Sequence, residues 1–277
     1  VICFPNAKIN LGLNITEKRA DGFHNIQTVF YPVGWHDALE AIENKTYRQG
    51  APKISLGQSG IKLGSTKNNL VNKAYHLLDA KFGLPPVKAH LHKSIPTGAG
   101  LGGGSSDAGF FINLLDEKFE LGIPTDEKIK LAAQLGSDCA FFIENNPVLA
   151  SGKGDIFEPL NINLQPYFFV VVYPAIHSNT AEAYKGIIPA KPKYDLAATM
   201  AGSISTWRER LTNDFEKNIF FRFPELENIK AKFYENGALY AAMSGSGSAV
   251  FGIFEQEMDV AEFNFPPEYL VHAGAFS

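Results

Sequence analysis

The sequence is poor in the features that mark specialised protein classes. It holds only two cysteines in 277 residues, Cys3 and Cys139, far apart in the chain. They neither build a disulfide framework nor set a metal-ligand spacing, so a reducing cytoplasm is the default expectation. The longest apolar stretch, residues 167–176, is about half of the roughly 20 residues that a membrane helix needs. Lys8 and the charged residues 17–19 interrupt the N-terminal stretch where a signal peptide would carry its apolar region. No run of five basic residues occurs, and 25 Lys and Arg stand against 29 Asp and Glu for a formal charge of −4. The electrostatic footprint of a general nucleic-acid or membrane-surface binder is therefore missing, and any phosphate must be held locally. No period of 20–50 residues repeats, which excludes solenoids and propellers.

What is present is an ordinary globular composition, 45% hydrophobic and 19% charged. Between residues 6 and 15 Ala7, Ile9, Leu11, Leu13 and Ile15 alternate with Asn6, Lys8, Asn10, Gly12 and Asn14, the pattern of a half-buried strand. Residues 26–33 and 37–42 read as further strands after a polar turn at 19–24, so the opening is expected to be an antiparallel meander. Asn69 precedes a helix that Gly83 stops. The strand expected over 87–95 has an apolar face that Lys93 interrupts. Helices follow with Ala108, Phe111, Leu114 and Leu115 as one stripe, and with Thr125 as the N-cap of the next. Strands are expected at 141–143 and 148–151, and GKGD at 152–155 marks a boundary between lobes over 1–154 and 155–277. Beyond it come a strand at 167–173, helices near 180–187, 214–221 and 224–235, and two strands flanking SGSG at 244–247. The fold class is α+β.

The strongest local signal is PTGAGLGGGSSDAG at 96–109. It contains a G-x-G-x-x-G, yet a helix rather than a strand ending in an acid follows, which speaks against a dinucleotide fold. The glycines end in Ser-Ser-Asp rather than Gly-Lys-Ser/Thr, which excludes a Walker A loop. No G-x-S-x-G hydrolase elbow occurs here or at 244–248. Glycine-rich backbone leading into a helix N-terminus still suits an anion. Ser105 or Ser106 can cap that helix and present a hydroxyl to phosphate or Mg²⁺; a flexible turn with a serine cap is the plainer alternative.

Three motifs stand in order: PNAKINLGLNI at 5–15, PTGAGLGGGSSDA at 96–108 and MSGSGSAVFGIF at 243–254. Together they resemble the signature motifs of the GHMP kinases. DGFH at 21–24 and LGSD-x-x-FF at 135–142 resemble the branch acting on a cytidine diphosphate-linked methylerythritol of the non-mevalonate isoprenoid pathway. The resemblance implies a two-lobed fold, with an N-terminal lobe like the second domain of ribosomal protein S5 and a ferredoxin-like C-terminal lobe. It also implies ATP and Mg²⁺ as cofactors and a small-molecule partner. The sequence departs from the family pattern at Phe23, where Tyr is usual, at Ala140, where Pro is frequent, and in the acidic segment 255–277.

By the same resemblance, Lys8 is a catalytic-site cation and Asp138 the acid–base residue, kept ionised by Lys8 and accepting the proton of the substrate hydroxyl. Pro96, Thr97, Gly98, Ala99, Gly100, Leu101, Gly102, Gly103, Gly104, Ser105 and Ser106 wrap the ATP phosphates, with Asn69 and Lys93 at the adenine end. Asn10, Gly245 and Ser246 contact the second substrate, and Phe23, His24 and Tyr184 recognise its cytosine ring. Taken alone, Lys8 suits a solvated strand residue, Asp138 a turn aspartate, His24 a surface residue, and SGSG a tight turn between strands. His90 and His92 share a strand face, but no third ligand is spaced to make a metal site, so they are read as structural. Another GHMP kinase, acting on mevalonate, homoserine or a sugar, and a catalytically silent nucleotide-binding regulator are the competing functions; the presence of both Lys8 and Asp138 argues against the latter.

Overall fold

The computed structural model describes residues 1–63 and 68–276. Strands β1 (Ile2–Cys3), β2 (Asn6–Lys18), β3 (His24–His36), β4 (Ala38–Glu43) and β5 (Ile54–Gly60) precede α1 (Leu70–Phe82), β6 (Val87–Lys93) and α2 (Gly103–Phe119). Then come α3 (Thr125–Ala133), α4 (Phe141–Glu144), β7 (Val148–Ser151), β8 (Ile156–Pro159) and β9 (Phe168–Tyr173). The short helices α5 (Thr180–Ala183), α6 (Leu196–Met200), α7 (Trp207–Arg210) and α8 (Glu216–Arg222) lead to α9 (Pro224–Glu235), β10 (Tyr240–Met243), β11 (Val250–Phe254) and β12 (Leu270–Ala275).

Two compact units interleave along the chain. The first comprises Val1–Ala7, Trp35–Thr97 and Gly102–Asn146; the second comprises Lys8–Gly34, Gly98–Leu101 and Pro147–Ser277. In the first unit the sheet runs β1-β4-β6-β5, with β4 antiparallel and β5 parallel to β6. The alternation in β6 is read out directly: Val87, Ala89, Leu91 and Lys93 are buried while the residues between them are exposed. Helix α1 starts at Asn69, whose Oδ1 accepts the Val71 N–H at 2.8 Å, and stops at Gly83 in the left-handed region (φ 65°), both as the sequence predicts.

Several expectations are corrected. Strand β4 leaves the expected meander after Asp37 and pairs with β1 and β6 instead. Helix α2 starts at Gly103 behind a left-handed Gly102 (φ 71°) with no side-chain cap, so Ser105 and Ser106 lie inside its first turn. Pro124, not Thr125, caps α3. Residues 141–143 are helical: the Asn145 N–H closes on the Phe141 carbonyl and Asn145 turns left-handed (φ 54°). Phe141, Phe142 and Ile143 are all buried, which leaves no periodicity to separate helix from strand. Near 180–187 only Thr180–Ala183 is helical.

The second unit holds two sheets, β2-β3-β7-β8 and β10-β11-β9-β12. In the latter, β11 and β12 flank β9 antiparallel, Val250 and Val271 both standing opposite Val172; the divergent C-terminal segment thus supplies an edge strand. The β2–β3 pair belongs to this unit because Leu13 and Ile15 share a core with Val170, Val172, Phe233 and Phe254. The expected lobes over 1–154 and 155–277 are a single cut in the chain, whereas this shared core draws residues 8–34 to the later segment.

Phe233 anchors that core. It is wholly buried and meets Phe254, Phe263 and Phe265 edge to face at 5.9, 5.4 and 6.0 Å. Phe233→Ala should lower the unfolding free energy by about 3–5 kcal/mol, read by urea denaturation followed by fluorescence.

Candidate active site

Strand β2 is buried on both faces rather than half-buried: Asn6, Lys8, Asn10 and Asn14 are all at most 8% exposed. Buried polar groups persist only when bonded, and here they form a relay. Lys8 Nζ donates to Asn10 Oδ1 at 2.7 Å and stands 4.5 Å from the Phe30 ring centroid. Asn10 Nδ2 donates to Thr28 Oγ1 at 2.9 Å, and the Thr28 hydroxyl donates to the Gly12 carbonyl. Lys8 and Asn10 therefore do share a face, with the ammonium fixed by a neutral amide, a cation–π contact and the strand itself.

Residues 98–101 of the glycine loop are laced to this strand and to the third motif. The Lys8 N–H donates to the Leu101 carbonyl at 2.9 Å, and the Ala249 N–H to the Ala99 carbonyl at 3.0 Å. Ser244 Oγ donates to the Gly100 carbonyl at 2.9 Å. A Cβ on Gly100 would lie 2.0 Å from the Ser244 carbonyl oxygen, and φ is +80° there. Gly98, Gly100 and Gly102 are all left-handed, the alternation that gathers backbone N–H groups into an anion-binding concavity. Asn213 Nδ2 donates to the carbonyls of Met243 and Gly245, both at 2.8 Å, and the Ser178 hydroxyl to the Ser246 carbonyl at 2.6 Å. The SGSG turn is thus both a β10–β11 connection and a braced surface. Thr28 and Asn213 were missed in the sequence, where nothing local marks them; Ser244 lies in the third motif, but only Gly245 and Ser246 were singled out there.

In the first unit the segment that leads into the glycine loop and the helix that follows it rest on buried charge. Lys93 is 1% exposed; its ammonium pairs with Asp37 and, at 2.9 Å, with Asp107. The expected contact of Lys93 with adenine is therefore corrected to an internal ion pair. Burial, with Asp37 adding to it, pushes the Asp107 carboxyl up to about 7 despite Lys93. Asp37 and Asp107 escaped the sequence reading, although a lysine interrupting an apolar strand face was a signal that acids wait inside. Ser106 Oγ and Asp107 Oδ1 are buried without a hydrogen-bond partner, Ser105 is half-buried, and a Cβ on Gly104 would meet open space. Pro96 is buried, Thr97 exposed. Asn69 spends its Oδ1 on the helix cap, which leaves Nδ2 as what it can offer a ligand. Asp138 lies half-buried in a 3₁₀ turn, Ser137–Cys139. Burial pushes the neighbouring Cys139 thiol up to about 11, so it is no nucleophile.

The aromatic trio is arranged differently from expectation. His24 lies flat on Tyr184, centroids 4.6 Å apart and planes 12° from parallel, so the pair leaves no room for a base between them. Tyr184 in turn meets Phe215 edge to face at 4.8 Å. Phe23 is 60% exposed, with Lys153 Nζ 5.1 Å from its ring centroid. Phe23 is thus open to a base, whereas the covered face of Tyr184 is not. A cavity of about 1010 Å³ in the same unit, lined in part by Arg19, Asn25, Ile26, Gly152 and Tyr194, includes none of the expected site residues. His90 and His92 both bond Ser59, at 2.8 and 3.0 Å, and among the described residues no group of three or more His, Cys, Asp or Glu is placed to hold a metal. No described helix is long and apolar enough to cross a membrane.

A left-handed glycine loop opening a helix, and a buried lysine on a strand laced to that loop, define a phosphoryl-transfer protein of α+β class. Residues 69–146 match the family model for the GHMP kinases N terminal domain, and residues 195–263 the model for GHMP kinases C terminal. The chain is 49% identical to the 4-diphosphocytidyl-2-C-methyl-D-erythritol kinase of Bacteroides fragilis over 96% of both chains. It is 45% identical to the kinase of that name from Cytophaga hutchinsonii, over 95% of this chain and 96% of the relative. A crystal structure of 4-(cytidine 5'-diphospho)-2C-methyl-D-erythritol kinase aligns with a TM-score of 0.76 at 29% identity, covering 91% of this chain and 89% of that one. The mevalonate kinase of Methanococcus jannaschii shares the fold, with a TM-score of 0.73 at 15% identity over 100% and 98% of the two chains. The chain belongs to the GHMP kinase family and is a small-molecule kinase.

Gly100→Ala places a methyl group against the Ser244 carbonyl in a strained conformation. Binding of an ATP analogue should weaken by about tenfold or more, that is about 1.4 kcal/mol, with the far-UV circular dichroism unchanged; calorimetry of the folded variant checks this.

Proposed function

We propose that the protein is a cytoplasmic kinase that transfers the γ-phosphoryl group of ATP to the 2-hydroxyl of 4-diphosphocytidyl-2-C-methyl-D-erythritol, in the non-mevalonate route to isoprenoid precursors. The observation that carries this reading is the 49% identity, spread over 96% of both chains, with a relative of that name. Asp138 takes the proton of the attacking hydroxyl and Lys8 supplies positive charge to the reacting groups. Backbone N–H groups of 96–106 hold the phosphates, and Asn69 offers its amide to the adenine. Asn10, Gly245 and Ser246 hold the second substrate, while Phe23, His24 and Tyr184 receive its base. Mg²⁺ fits the loop chemistry: Ser106 Oγ is a buried oxygen without a partner, a hard donor of the kind this ion takes. When bound there, the ion neutralises charge on the phosphates.

The test is ATP consumption with the cytidine compound, its uridine analogue, mevalonate, homoserine and galactose. Turnover of the cytidine compound, with the uridine analogue at least tenfold poorer, is expected, because a site that bonds one base edge leaves its polar groups unpaired against another. Turnover of mevalonate or homoserine instead overturns the assignment. Asp138→Asn should lower kcat by about 10²–10⁴ with little change in the KM for ATP; near-normal kcat in steady-state assays would remove Asp138 from the proton transfer.

A further inference from the structure

Lys93 occupies a core position. Its neighbours on the same face of β6, at 87, 89 and 91, are Val, Ala and Leu, and a leucine or methionine would continue the pattern. Instead an ammonium sits with its side chain wholly buried between two carboxylates whose side chains are at most 3% exposed. Buried ion pairs rarely out-stabilise apolar residues of similar volume, because the charges lose their hydration. Stability alone therefore gives no reason for this lysine, and its partners indicate what it fixes. Asp37 Oδ1 accepts the N–H groups of Ser94 and Ile95 at 2.6 and 2.9 Å, the two residues that lead into the glycine loop. The Asp37 N–H donates to the Pro5 carbonyl at 2.8 Å, which anchors that carboxylate to the start of the chain. Asp107 stands in α2, just past the last glycine of the run 102–104. One ammonium thus ties the segment entering the loop to the helix leaving it.

Gly103 completes the arrangement. A Cβ there would come within 2.8 Å of Ile95 Cγ2 and 3.0 Å of Lys93 Nζ, so the first residue of α2 lies directly against the ammonium and the loop entry.

We propose that Lys93 is a positioning residue for nucleotide binding: paired with Asp37 and Asp107, it holds the entry and the exit of the glycine loop at the spacing that a nucleotide phosphate requires. This rests on the reading that the loop binds ATP. Lys93 touches no substrate; it acts through the two aspartates on backbone that does. A group of this kind changes affinity for the nucleotide while leaving the second substrate and the chemical step nearly alone, because only the loop backbone is displaced.

The experiment compares Lys93→Met and Asp107→Asn with the wild type in calorimetric titrations with a non-hydrolysable ATP analogue and in steady-state kinetics. Lys93→Met should weaken analogue binding at least tenfold and raise the KM for ATP in step, with kcat at saturating ATP within threefold and the KM for the cytidine substrate within twofold. Asp107→Asn keeps the shape but loses the charged bond, and should show a three- to tenfold loss of the same type; it decides the matter if the methionine variant does not fold. A folded variant with wild-type affinity for the analogue overturns the proposal, as does a loss confined to kcat or to melting temperature, which is what a merely structural role produces. Wild-type protein that binds no analogue counts against the proposed function itself, a result distinct from any difference between variants.

Discussion

The backbone of the glycine loop approaches its surroundings more closely than any side chain permits. At Gly100 the space for a methyl group is occupied by the Ser244 carbonyl; at Gly103 it is occupied by Ile95 and the Lys93 ammonium. Much of the site follows from these two approaches. The first brings the third motif and the Lys8 strand to residues 98–101, through the hydrogen bonds from Lys8, Ala249 and Ser244. The second seats the helix behind the loop on a charged bed. A loop with three left-handed residues would otherwise be a flexible turn, since glycine loses the most conformational freedom on ordering. Here each side is tied, so a phosphate binding to this loop would not have to supply the ordering free energy.

Burial of polar side chains follows the same logic on strand β2. Lys8 is held at 3% exposure by Asn10 and the Phe30 ring, and Asn10 is held in turn by Thr28. An asparagine serves well as the hub because it accepts at one atom and donates at another. Through its oxygen the amide orients the ammonium, and through its nitrogen it is itself held to Thr28.

How much of this was legible depended on whether the signal was local. Asn69, Gly83 and the alternation of β6 carry their own instructions, and the caps and faces follow. The glycine motif likewise marks its own loop. What could not be read were partners distant in sequence. The path of β4 into another sheet is fixed by Asp37, Pro5 and Ser94, residues far apart in the chain. Residues 141–143 are apolar on every side, so no period distinguishes their helix from a strand. Lys93 lies between these cases: its interruption of an apolar face was visible, but the acids that explain it lie on other elements. Polar residues 6, 8, 10 and 14 alternate as an exposed face does, and only their hydrogen-bond partners reveal that the face is interior.

The ring-on-ring contact of His24 with Tyr184 has a thermodynamic consequence for a base that stacks at this place. Tyr184 has already lost water from the face that His24 covers, so a base displacing the imidazole would exchange one stack for another and dehydrate little new surface there. Phe23, 60% exposed, still carries its hydration. For such a base the negative heat-capacity change that accompanies burial of apolar area would originate at Phe23, and the histidine–tyrosine pair would contribute mainly an exchange of enthalpies.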